Sequence, residues 1–151
     1  MYFNIKIFST PGCDYKESVF TDLKKLRKEY YLRITRLENI GTLDIKHLLD
    51  AIYNGFDGIF VIIRGELKEG KFLTEYNSFQ KVVDETNKIL GRRGFTDQRI
   101  GIIHWNGSDI KKLYEEIKNC FKKIMKCGKN PINNEIQDLK NFSKENSIKQ
   151  I

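Results

Sequence analysis

No apolar run in the 151 residues approaches the roughly 18 that a bilayer-spanning helix needs, so no membrane partner is expected. The first residues alternate polar and apolar and lack the long apolar centre of a signal peptide, which makes a cytoplasmic protein the expectation. Cysteine is scarce. Cys13, Cys120 and Cys127 are an odd number and build no disulfide framework. The positions three before and three after Cys13 are Thr10 and Lys16, which excludes a thioredoxin-like dithiol. The sixth position after Cys13 is Val19 rather than arginine, which excludes a Cys-x5-Arg phosphatase loop. Cys120 and Cys127 stand two helical turns apart and share a face, but two thiols alone do not fill a tetrahedral metal site. They read as ordinary buried or half-buried thiols. Nor is there an internal repeat.

What is present suits one ordinary globular domain: 40% hydrophobic and 31% charged residues, with a chain long enough for a real core. Lys and Arg outnumber Asp and Glu by 27 to 20, for a net charge of +7. The basic residues are scattered, as in "KKLRK" at 24–28, Arg92-Arg93, Lys111-Lys112 and Lys122-Lys123. A nucleic-acid surface would gather them on one face with stacking aromatics, so no nucleic-acid partner is expected. The charge reads as solvated helix faces, with a surface for an anionic partner as the functional alternative.

The hydrophobic pattern alternates between strand and helix. Tyr2–Phe8 reads as a strand and Glu17–Tyr30 as a helix with Val19, Phe20, Leu23, Leu26 and Tyr30 on one side. Leu32–Leu37 alternates as an exposed edge strand does. Asp44 is a good N-cap for a helix through Tyr53 with Leu48, Leu49 and Ile52 inward, ended by Gly55. "GIFVII" at 58–63 is apolar throughout, the mark of a central strand buried on both faces. Phe72–Leu90 forms a helix striped by Phe79, Val82, Val83, Thr86 and Leu90, which Gly91 closes. "RIGIIHW" at 99–105 is a fourth strand. Ser108 or Asp109 caps a last helix with Ile110, Leu113, Tyr114, Ile117, Phe121 and Ile124 inward. Such alternation predicts an α/β, flavodoxin-like or Rossmann-like three-layer fold with a parallel sheet in the order 2-1-3-4. The domain is expected over residues 3–127. A polar tail with at most one short helix, around 133–142, follows over 128–151.

In this topology the switch point lies between strands one and three, where the loops 9–16 and 64–71 meet. The first loop, within "FSTPGCDY", offers Ser9, Thr10 and Gly12 ahead of a helix N-terminus, as a phosphate or flavin site would. Against that reading, there is no second glycine, Pro11 removes a donor, and Asp14 and Glu17 add negative charge. Cys13 would need a base to be reactive. His104, at the end of strand four, is in the right layer, whereas His47 on the second helix packs or faces solvent. In the second loop, "RGELKEG", Arg64, Glu66, Lys68 and Glu69 read as solvated charge, with a partner contact as the functional alternative.

The chain resembles the delta subunit of methyl-viologen-reducing hydrogenase. "DIKHLLDAIYNGFDGIFVII" at 44–63 is similar to that family's aspartate, its helix ending in Ala-Leu-x-x-Gly, its Ala-Asp-Gly and its apolar strand. "EGKF" at 69–72 is similar to its Glu-Gly-Asn-Tyr, and "IGIIHW" to a strand that ends near a tryptophan. The resemblance implies a small iron–sulfur protein that passes electrons from a hydrogenase or formate dehydrogenase to heterodisulfide reductase. It also implies what is missing. The family's first loop reads Phe-x-Cys-x-x-Cys-x-Tyr, so Cys13 matches the second cysteine and Thr10 replaces the first. A later cysteine falls at or near Glu38, and the cysteines of the loop after strand three have no counterparts in "RGELK". Cys13 then reads as the remnant of a cofactor-binding site. A [2Fe–2S] cluster needs about four cysteine or histidine ligands, so no cofactor is expected. The leading expectation is a non-catalytic adaptor subunit of a hydrogenase, formate dehydrogenase or heterodisulfide-reductase-like complex. The alternatives are an electron-transfer subunit whose [2Fe–2S] cluster a partner chain completes, and a small-ligand or flavin-binding domain.

Overall fold

A computed structural model of the chain describes residues 3–10, 30–65, 70–95 and 98–133. The helix expected over 17–29, Cys13, the loop residues Glu66, Lys68 and Glu69, and the short helix expected around 133–142, from residue 134 on, lie outside the described residues. Four strands, β1 (Phe3–Ser9), β2 (Tyr30–Arg36), β3 (Gly58–Arg64) and β4 (Ile100–Trp105), form one sheet in the order β2-β1-β3-β4. Every pairing is parallel, with Ile5 opposite Leu32 on one side and Gly58 on the other, and Phe60 opposite Gly101. The described helices are α1 (Ile45–Tyr53), α2 (Gly70–Arg92) and α3 (Ile110–Cys127), with a short 3-10 turn at Ile40–Thr42.

The pleat divides the core into two layers. Ile5, Ile7, Leu32, Phe60, Ile62, Ile103 and Trp105 face α3, whose Leu113, Ile117, Phe121 and Ile124 complete that layer. Ile59, Val61, Ile63 and Ile100 point the other way, onto Leu48 and Ile52 of α1 and Phe79, Val83 and Leu90 of α2. Gly58 to Ile63 are all buried, and only Arg64 emerges. That is why this strand is apolar without alternation: it has no solvent face. The expected parallel sheet and its order are the ones found.

Local chemistry sets the helix ends. Asp44 caps α1 by accepting from His47 N at 3.0 Å, and His47 Nδ1 sits 2.7 Å from Asp44 Oδ1. These bonds hold the Asp44 carboxyl below its ordinary value, and His47 is a surface cap. Asp109 caps α3 through Lys112 N at 3.0 Å.

Three expectations are corrected. Tyr30 belongs to β2, paired with Phe3, and not to the helix expected before it; aromatic and β-branched residues suit the strand better. Gly91 does not close α2, which runs to Arg92; the chain turns at Gly94, with φ +94°. Ile110 is 44% exposed, because the first residue of α3 precedes the stripe that begins at Leu113. No helix among the described residues is long and apolar enough to cross a membrane.

Candidate functional site

The C-terminal edge of the sheet is where an open α/β fold places ligands. There, β1 and β3 are stitched together by Thr10. Its backbone N–H donates to Ile62 O at 3.1 Å. Its hydroxyl donates to the same carbonyl at 3.3 Å and accepts from Arg64 N at 3.2 Å. Ser9, 3% exposed, accepts from Leu37 N at 2.8 Å through its carbonyl and so ties β1 to the exit of β2. Glu38 follows, exposed. The structure therefore brings to the same edge Thr10, standing where the resemblance puts a cysteine, and Glu38, at or near a second such place.

On the other side of β3, Gly65 N donates to Trp105 O at 3.1 Å. His104 Nε2 lies 2.5 Å from Gly65 O, and its ring meets Tyr76 edge-on at 6.4 Å. His104 is in the expected layer, engaged with the start of the second loop. Arg64 is exposed, and its guanidinium lies over the backbone of Gly107.

The groups on this edge are hydroxyl, carboxylate, guanidinium and imidazole. None of these described groups is a thiolate, the main ligand of an iron–sulfur cluster. The other two cysteines are elsewhere. Cys120 packs against the α3 layer, and burial pushes its thiol up to about 11, which makes it inert at neutral pH. Cys127 Sγ is 4.0 Å from Gln98 O, at the entry of β4 and hence at the opposite edge.

That opposite, N-terminal edge is sealed by a polar network that sequence patterning does not reveal. Asp57, fully buried at the entry of β3, accepts from Asn4 N at 2.7 Å, Lys129 Nζ at 2.9 Å and Asn130 N at 2.5 Å. Arg99, 3% exposed, donates to the carbonyls of Asp57 and Gly128 at 3.1 and 2.8 Å. It also reaches those of Cys127 and Lys129 at 3.3 and 3.4 Å. The guanidinium thus meets the orphan carbonyls and the negative end of α3. Asn130, wholly buried, donates to Ile52 O and Phe56 O, both at 2.8 Å. The one advance signal is the isolated aspartate before an apolar strand, which has to be paired if buried.

The fold and its two edges can be set beside known proteins. The pattern of the methyl-viologen-reducing hydrogenase delta subunit matches residues 5–128. The chain belongs to that family. The match runs from β1 through the last turn of α3, so it takes in both the Thr10 stitch and the Asp57–Arg99 seal. A relative from Methanococcus maripaludis, the iron-sulfur subunit of its F420-non-reducing hydrogenase vhu, is 29% identical over 101 residues. Those residues are 67% of this chain and 75% of the relative. The stretch Asp44 to Ile63, on which the resemblance in the sequence rests, carries the α1 cap, the buried Asp57 and most of the central strand, so its role here is to hold the fold.

Proposed function

We propose that the chain is a non-catalytic accessory subunit of a hydrogenase, formate dehydrogenase or heterodisulfide-reductase-like complex in the cytoplasm, without an iron–sulfur cluster of its own. Family membership supports the subunit half of this reading, because delta subunits are named as parts of a larger hydrogenase. The observation that carries the other half is Thr10. The residue at the resemblance's first cysteine position engages its hydroxyl with both Ile62 O and Arg64 N, holding β1 against β3. It is built into the sheet edge rather than presented to a metal. With Glu38 at or near a second such position, Cys13 is left as one thiol where about four ligands are needed. The charged loop of Arg64, Glu66, Lys68 and Glu69 is the proposed partner contact.

A second reading has one specific support. The Methanococcus relative is named an iron–sulfur subunit, which favours an electron-transfer chain whose [2Fe–2S] cluster is completed by another protein through Cys13. Affinity purification of the tagged chain under anaerobic conditions, with mass spectrometry and stoichiometry of co-eluting proteins, tests the subunit role. Stoichiometric co-elution of redox-enzyme subunits is expected. A chain that elutes alone as a monomer contradicts it.

A further inference from the structure

Lys6 and Arg33 are register partners on the neighbouring strands β1 and β2, on the side of the sheet away from Ile5 and Ile7. Like charges directly opposite each other are unfavourable in a sheet, and an ordinary surface offsets them with a nearby carboxylate. Among the described residues neither cation has one within 4.0 Å: the carboxylate contacts at that distance join Asp44 to His47, Glu85 to Lys88 and Asp57 to Lys129. Lys6 is instead held on aromatic faces, its Nζ 5.2 Å from the Phe8 ring centroid and 5.8 Å from that of Phe56. Burial, and then the Arg33 guanidinium, push its ammonium below its ordinary value, so an added negative charge would be favoured there.

The surroundings are shaped as well as charged. A groove beside the pair is lined by Asn4, Tyr31, Arg33, Asn54, Gly55 and Phe56. Tyr31 is 53% exposed. β2 is the outer strand of the sheet, and Tyr31, Arg33 and Thr35 follow one another along a single face of it, about 6.6 Å apart as alternate strand residues are. A row at that spacing matches alternate side chains of an extended peptide.

We propose that this groove binds an extended acidic segment, rich in Asp or Glu, of a partner polypeptide. A carboxylate of the segment bridges Lys6 and Arg33, the Asn4 and Asn54 amides flank it, and the Tyr31 ring packs on the neighbouring stem. The row of contacts favours a peptide over a free anion, which would need one enclosed pocket. The inference rests on the subunit reading above for its partner, but the site is on a different surface from the 64–71 loop.

The test is titration of the full, nitrogen-15-labelled chain with a short peptide of alternating glutamate and alanine, with its glutamine counterpart, and with inorganic phosphate. The expected result is shifts confined to the amides around Lys6, Tyr31, Arg33 and Asn54, weakening with added salt. No binding of the glutamine peptide is expected. A loss of affinity of about tenfold or more is expected in Arg33→Glu and, as a milder change, in Arg33→Gln and Lys6→Gln. Shifts elsewhere, or an affinity unchanged in all three variants, overturn the proposal. Phosphate that perturbs the same amides as tightly as the peptide also overturns it, by making this a small-anion site. Because the titration uses the isolated chain, it fails separately from the subunit reading. A chain that recovers its redox partners but binds no acidic peptide loses only this proposal. One that recovers no partners yet binds the peptide at this groove loses only the other.

Discussion

Asn130 follows a helix that ends in Lys126 and Cys127, in a stretch rich in Lys and Asn. Its side chain nevertheless bridges α1 to the entry of β3 by donating to Ile52 O and Phe56 O, while its Oδ1 accepts from Ile132 N at 3.0 Å. Composition points such a residue to solvent, and no periodicity flags it, because the reason for its burial is a set of carbonyls that become neighbours only after folding. The same holds for Thr10: that it stands where the resemblance places a cysteine is visible in the chain, but its two hydroxyl bonds are not. Asn130→Ala is expected to cost about 1–3 kcal/mol, the usual penalty for leaving buried polar groups without partners. Denaturant melts of the full chain check it, and a change below about 0.5 kcal/mol, the ordinary size for surface substitutions, would show that the region from 128 on does not hold the domain together.

At the scale of elements, sequence and structure agree where one physical signal dominates. The unbroken apolar run of β3, the Asp44 cap and the stripe of α2 each have a single reading, and each is found. The disagreements sit at ends, where signals compete. Gly91 reads as a stop, yet the helix tolerates it at modest cost and turns only at Gly94, where a positive φ is required. Tyr30 fits a helix stripe by spacing but a strand by propensity, and pairing with Phe3 decides the matter. Phe60 shows why β3 dominates. It is 4% exposed, its ring is 6.4 Å from that of Phe121, and it fills the space left by Gly101 on the next strand. Phe60→Ala is expected to destabilise by roughly 3–5 kcal/mol, through lost burial and the cavity between β3 and α3. A loss below about 1 kcal/mol in the same melts would mean that this layer repacks freely.

At the scale of the whole molecule the two edges of the sheet divide the work. The N-terminal edge is closed by Asp57, Arg99 and Asn130. The C-terminal edge carries Thr10, Arg64 and His104, and is the end at which α/β proteins act. The family is evident in the elements that make the fold, whereas at the open edge Thr10 stands where the resemblance places a cysteine and Glu38 stands at or near a second such place. That contrast is the basis for an accessory subunit without its own cluster. It is tested most directly by the iron content and paramagnetic resonance of the anaerobically assembled complex, with the wild-type chain and with Cys13→Ser. The expected result is no difference, with all iron belonging to the partner subunits. A loss of about two irons per chain in Cys13→Ser, the content of one [2Fe–2S] centre, together with loss of its resonance signal, would contradict the account and make the chain an electron carrier.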